Sequence, residues 1–133
     1  MRRTKGNPGG PGEQKGILGR LRSAGLVARK SLGQHFLHDP RILSSLVDLA
    51  GVGSGSKVLE VGTGPGTLTR ELAARSSRVL TVEIDAGMAE FAAVELGNFD
   101  NVEMLQLDAL DGKKKLHPLL LEKLNLLGNF FWV

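Results

Sequence analysis

Val58-Leu59-Glu60-Val61-Gly62-Thr63-Gly64-Pro65-Gly66 is the stretch on which the fold turns. An apolar, β-branched run broken by a single acid leads into three alternating glycines. That order predicts a strand entering a tight turn, where a ligand meets bare backbone. Thr67 to Ala74 follows with helical spacing and composition. Strand, glycine turn and helix together predict the ligand-binding start of a doubly wound α/β sheet. A plain strand-to-helix turn is the blander reading of the same residues.

Two cofactor classes share this geometry. A dinucleotide site wants G-x-G-x-x-G, with its third glycine bringing the helix close to the pyrophosphate. Here the third glycine comes one residue early, at Gly66, and Thr67 holds the dinucleotide position. Glu60 stands two residues before Gly62. Its charge would repel a pyrophosphate but suits S-adenosylmethionine, which carries a sulfonium and an ammonium and no phosphate. Glu60, Gly62, Gly64 and Gly66 therefore favour a methyl donor over NAD.

The next segments extend the pattern. Arg78-Val79-Leu80-Thr81-Val82-Glu83-Ile84-Asp85 is a second β-branched run. An acid at the tip of the second strand, about 20 residues beyond the glycine turn, is where this architecture hydrogen-bonds ribose hydroxyls. Glu83 takes that role, because Asp85 is the better cap for the helical stretch Ala86 to Leu96, which ends at Gly97. The competing reading makes Glu83 a surface acid. A third run, Val102 to Leu107, ends on Asp108, a carboxylate able to accept from an adenine amino group or to serve as an ordinary loop residue.

Composition bounds the alternatives. The chain has 133 residues and 41% hydrophobic content, enough for one domain at the small end for a full α/β sheet. With no cysteine, disulfides, thiolate metal sites and a cysteine nucleophile are excluded. His35, His38 and His117 are too sparse for a metal site, and none is expected. No apolar stretch reaches the roughly 18 residues of a membrane span, and no secretory apolar region is expected.

Charge is uneven. Residues 1–30 hold eight Lys or Arg against one acid, a balance of +7, whereas residues 31–133 hold nine basic and thirteen acidic residues, a balance of −4. The first sixteen residues are rich in Gly and Pro and read as disordered, so residues 1–28 are expected to form a basic flexible arm ahead of a domain over 29–133. A phosphate-binding element for nucleic acid, a solubilising tail and an organelle transit peptide all fit that charge. Between arm and domain, Asp39-Pro40 predicts a helix start, with an apolar face over Ile42, Leu43, Leu46, Val47 and Ala50 and a stop at Gly51.

Lys30-Ser-Leu-Gly-Gln-His-Phe-Leu37, Val58 to Thr69, Val82-Glu-Ile-Asp85 and Leu107-Asp-Ala109 resemble, in order and spacing, the successive motifs of the ribosomal RNA adenine dimethyltransferases of the kasugamycin-sensitivity type. The resemblance runs from about Arg29 to Asn129. It implies a class I methyltransferase with a Rossmann-like doubly wound sheet, dimethylating N6 of adenosines in small-subunit ribosomal RNA. It also implies that His35 and Leu37 line the methionine end of the cofactor, that Gln34 borders the same pocket, that Gly62 makes a backbone contact to the cofactor, and that Glu83 and Asp108 bind its ribose and adenine. The family's Asn-Leu-Pro-Tyr follows its fourth strand. There the Asn side chain and Pro carbonyl accept from the target amine, whose lone pair is thereby localised, and the Tyr stacks on the base.

The ending departs from that family pattern. Leu124-Asn125-Leu126-Leu127-Gly128 reads as the fourth strand, which makes Asn129 the catalytic Asn and a cofactor neighbour. The continuation is Phe130-Phe131-Trp132-Val133, with Phe for Pro and Trp for Tyr. Phe131 lacks the fixed φ of proline, and Trp132 offers a ring for base stacking or else a strand end. The expected sheet, with strands at about 57–62, 78–84, 102–107 and 124–128, is truncated after the fourth strand, and the family's helical C-terminal domain is missing. Two readings follow: an rRNA methyltransferase acting on small-subunit rRNA or a pre-ribosomal particle, or a non-catalytic cofactor-binding or RNA-associated remnant. An NAD-dependent oxidoreductase stands third, against Glu60 and the early Gly66. A cytoplasmic setting is expected, with an organellar one admitted by the basic start.

Overall fold

The structure is a computed structural model that describes residues 11–26 and 39–133. Its framework is a four-stranded parallel sheet of β1 (Lys57–Val61), β2 (Arg78–Glu83), β3 (Val102–Gln106) and β6 (Phe131–Trp132), in the order β3-β2-β1-β6. Helices α2 (Pro40–Ala50), α3 (Thr67–Arg75) and α4 (Ala86–Glu95) precede or connect the first three strands, and α5 (Pro118–Leu127) leads into the fourth. Helices lie on both faces, as a doubly wound Rossmann-like sheet requires. The first three strands stand where the sequence puts them.

The period of two in the strands sorts the core. Val58 and Val79 face one side and pack with Val47 of α2 and with Leu72 and Ala73 of α3. Leu59, Leu80 and Val82 face the other and pack with Leu120, Leu124 and Leu127 of α5. The expected caps hold. The Asp39 side chain accepts from the Arg41 amide, with Pro40 in the first turn and left-handed Gly51 closing α2, and the Asp85 side chain accepts from the Met88 amide.

Two expectations fail. Residues 124–128 are not a strand: Leu124 and Leu127 lie in α5, and Gly128, at φ 78°, ends it. The reason is local. His117 Nδ1 accepts from the Leu119 amide, Pro118 starts the helix, and Leu120, Leu124 and Leu127 fall four and three apart on one buried stripe. The fourth strand is instead the two residues of β6. Secondly, part of the stretch expected to be a flexible arm over 1–28 is helical, as α1 (Pro11–Ser23). Ile17 and Leu21, four apart, are buried against Met88 of α4, and Arg20 holds Glu95 through two bonds of 2.7 and 2.9 Å. A short antiparallel hairpin, β4 (Leu110–Asp111) with β5 (Lys115–Leu116), also follows β3, in a stretch to which the sequence reading assigned no element.

Candidate functional site at the carboxyl edge of the sheet

In a parallel sheet, the loops leaving the carboxyl ends of the strands form the ligand crevice. Here those loops are the glycine turn after β1, the Glu83–Asp85 corner after β2 and the Asp108 turn after β3. Gly62, Gly64 and Gly66 all have positive φ, at 92°, 54° and 90°, a region that disfavours side chains with a Cβ. A Cβ on Gly62 would meet nothing within 4 Å, so that backbone fronts open space. One on Gly66 would sit 3.2 Å from Leu96, which fixes how closely α3 and α4 approach.

Glu83 ties two of these loops together. Its Oε1 accepts from the Gly64 amide at 2.8 Å, and its Oε2 accepts from the Asp85 amide at 2.9 Å. The residue is only 3% exposed, and each carboxylate oxygen has accepting capacity beyond these single bonds. Asp108 is exposed, and its Oδ1 accepts from the Leu110 amide at 2.9 Å, which holds the carboxylate at the end of β3.

Glu60 lies beneath the turn. Its side chain shares a sheet face with Thr81, its register partner on β2, and is only 2% exposed. Oε2 accepts from Thr69 Oγ1 at 2.5 Å and from Thr81 Oγ1 at 2.7 Å, while the Thr63 and Thr81 hydroxyls meet at 2.6 Å. Oε1 is buried with no partner among the described residues. Burial pushes the Glu60 carboxyl up to about 7, against the two threonine hydroxyls, and the charge of Glu83 adds to the rise. The threonine clamp was not anticipated from the sequence. Its signal was there in Thr81, a polar residue within a buried run and level with Glu60.

The carboxyl edge thus carries an exposed Asp108 and a half-buried Asp85, with Glu83 and Glu60 both buried beneath them. The nearby Arg70 is engaged by Glu95, through its carbonyl at 3.2 Å and its carboxylate at 3.4 Å. This donor set fits a cationic, hydroxyl-bearing ligand such as S-adenosylmethionine and disfavours a pyrophosphate.

Other expected residues are not brought to this edge. β6 runs parallel to β1 with Phe131 beside Val58 and Trp132 beside Leu59. Asn129 precedes Phe131 by two residues and so stands at the amino end of the sheet. That is about 20 Å of strand from Gly62, at about 3.3 Å per residue. Lys57, which opens β1, donates to the Leu127 carbonyl at 2.9 Å and pins the end of α5 to the same amino edge. Trp132 is 60% exposed on β6, short of the glycine turn. Gln34, His35 and Leu37 lie outside the described residues.

The profile described as "Ribosomal RNA adenine dimethylase" matches residues 25–121. The chain belongs to the ribosomal RNA adenine dimethylase family. Among its relatives, ribosomal RNA small subunit methyltransferase A of Geobacillus thermodenitrificans is 40% identical over 113 residues, covering 85% of this chain and 37% of the relative. The protein of the same name from Moorella thermoacetica is 47% identical over 95 residues, covering 70% and 32%. This chain therefore spans about a third of the length of the curated relatives it matches. Among solved structures, a dimethyladenosine transferase from Plasmodium falciparum superposes with a TM-score of 0.53 at 30% identity, over 63% of this chain and 30% of that one. The 23S rRNA methyltransferase ErmE does so with 0.53 at 35%, over 56% and 30%. The family match contains the glycine turn, Glu83 and Asp108, and it stops before Asn129.

Proposed function

We propose that this chain is the cofactor-binding part of an S-adenosylmethionine-dependent methyltransferase that dimethylates N6 of adenosines in small-subunit ribosomal RNA. The observation that carries the reading is the bond of 2.8 Å from the Gly64 amide to Glu83 Oε1, which joins glycine turn and second strand into one acidic cradle. When bound, the cofactor supplies an electrophilic methyl group on a sulfonium, for in-line displacement by the adenine amine. The protein's part is then chiefly to hold two reactants in line. Glu83 accepts from the ribose hydroxyls with its remaining lone pairs. Asp108 accepts from the cofactor's adenine amino group, and Gly62, Gly64 and Gly66 leave the backbone bare for close approach. Within this proposal His35 and Leu37, with Gln34 beside them, take the methionine end, a reading supported by the resemblance of their segment to the family motif.

Asn129 is the proposed acceptor for the hydrogens of the target amine. Its position at the amino end of β6 supports a second reading, in which this 133-residue chain binds the cofactor and an RNA partner without methylating it. The relatives' names, which specify small-subunit ribosomal RNA, support an RNA partner, and a cytoplasmic setting is part of the same proposal. No helix among the described residues is long and apolar enough to cross a membrane.

Calorimetric titration of S-adenosylhomocysteine into the folded chain, followed by transfer of labelled methyl to small-subunit rRNA, separates these readings. Micromolar binding with transfer supports the enzyme. Micromolar binding without transfer supports the non-catalytic form. A folded chain that binds NAD but no S-adenosyl compound would overturn both.

A further inference from the structure

Residues 39–133 hold nine Lys or Arg, and six of them are committed. Arg41 pairs with Asp39, Arg70 with Glu95, Arg75 with Asp48 and Glu71, and both Arg78 and Lys123 with Glu103. Lys57 donates to the Leu127 carbonyl. The other three are consecutive. Lys113, Lys114 and Lys115 are all exposed, and none has an ion-pair partner among the described residues. Asp111 faces Lys115 in the hairpin register without forming one.

These lysines form the tip and return strand of the β4–β5 hairpin, which turns at Gly112 with φ 78°. Its root is anchored. Asp108 Oδ1 accepts from the Leu110 amide, the His117 amide donates to the Ala109 carbonyl at 2.8 Å, and Ala109 and Leu116 pack against the Leu59, Leu80, Val82 and Leu120 cluster. The root leaves the carboxyl end of β3, the edge that carries the glycine turn and Glu83. Three adjacent ammonium groups repel one another, and the rest of residues 31–133 holds six basic and thirteen acidic residues. A chain of regularly spaced anions relieves that repulsion. The tip, Gly112-Lys113-Lys114-Lys115, has no apolar residue to insert among lipids, which favours a nucleic acid over a membrane surface.

We propose that the Lys113–Lys115 hairpin is a phosphate-contacting element that holds RNA against the carboxyl edge of the sheet. The proposal rests on the RNA methyltransferase reading above. Lysine ammonium groups are point charges that contact the backbone without reading bases, so the hairpin positions the RNA and leaves base choice to other residues.

The test compares the 133-residue chain with its K113Q/K114Q/K115Q variant. A stem-loop of small-subunit rRNA is titrated at several KCl concentrations, and S-adenosylhomocysteine binding is measured alongside. The expected result is a salt slope smaller by about 2, at about 0.7 per single-strand phosphate contact, and an affinity about tenfold weaker at low salt. S-adenosylhomocysteine affinity stays as it was. Acetylation footprinting gives an independent readout, in which RNA protects Lys113–Lys115 and leaves Lys123 reactive. A wild-type chain that binds RNA, with a variant of equal slope or no protection at the three lysines, overturns the hairpin assignment and leaves the methyltransferase reading standing. A chain that binds S-adenosylhomocysteine but no RNA overturns the hairpin's role and the RNA substrate together. Tighter binding to phosphatidylglycerol vesicles than to the RNA also overturns the proposal.

Discussion

Glu60 shows how one buried carboxyl shapes the site without lying in it. Its pKa rises from 4.5 to about 7 because burial disfavours the charged form more than the Thr69 and Thr81 hydroxyls favour it. The sign follows directly. Between about 4.5 and 7 the folded chain holds a proton that the unfolded chain has lost, so this group's contribution to stability falls as pH rises through that window. The whole effect is about 3 kcal/mol, at about 1.4 kcal/mol for each tenfold change in proton affinity. Glu60→Gln should therefore flatten the pH dependence of Tm between pH 5 and 8 relative to the wild type, measured by circular dichroism. Parallel profiles for the two proteins would mean that Glu60 is ionised throughout. Glu83 acts differently, as the acceptor from both Gly64 and Asp85 amides. Glu83→Ala should weaken S-adenosylhomocysteine binding by about 1–3 kcal/mol, roughly five- to 150-fold, on the scale of unmatched hydrogen-bond partners. Equal affinity in a calorimetric titration would take Glu83 out of the site. Both acids stood out in the sequence, but their division of labour did not. That division depends on Thr69 and Thr81, whose proximity to Glu60 comes from strand register and helix packing rather than from spacing along the chain.

At the scale of elements, α1 bears the largest revision. Its Gly- and Pro-rich beginning reads as disorder, yet Ile17 at 5% and Leu21 at 2% exposure sit in a shared cluster with Met88 of α4. Two apolar residues four apart are a thin signal in a basic stretch, and only the partner helix gives them a surface to bury. Leu21→Ala should cost about 3 kcal/mol, the range for emptying a buried leucine site, as a lower urea midpoint with the slope unchanged. A cost below about 1 kcal/mol would return α1 to the status of a loosely attached arm. Elements with strong local signals were legible: β1 and β2 by their β-branched runs, α2 and α4 by Asp39 and Asp85 as caps. The segment around Leu124 was not, because a run of leucines carries no period that separates a buried strand from a buried helix. Pro118 and His117 decide in favour of α5, and that choice shifts the fourth strand to β6 and Asn129 to the amino edge.

Over the whole molecule, the two ends of the sheet are unlike. The carboxyl edge gathers the glycine turn, Glu83, Asp108 and the lysine hairpin, while the lateral edge beyond β1 is closed by only two residues. Phe131 and Trp132 of β6 are 44% and 60% exposed, and Leu121 and Leu126 of α5 are 48% and 79% exposed. A short apolar edge strand whose outer side has no strand partner among the described residues is a template for pairing with another chain. The isolated chain should therefore self-associate with rising concentration. Its single tryptophan is Trp132, so emission should move to shorter wavelength as the sedimentation coefficient grows. Trp132→Lys, which puts a charge on that edge, should keep the chain monomeric in sedimentation velocity while leaving S-adenosylhomocysteine affinity unchanged, since Trp132 pairs beside Leu59 and away from the glycine turn. A wild-type chain that stays monomeric at every concentration would show that the β6 edge is protected. A variant that loses the cofactor would join β6 to the binding site and reopen a place for Asn129 there.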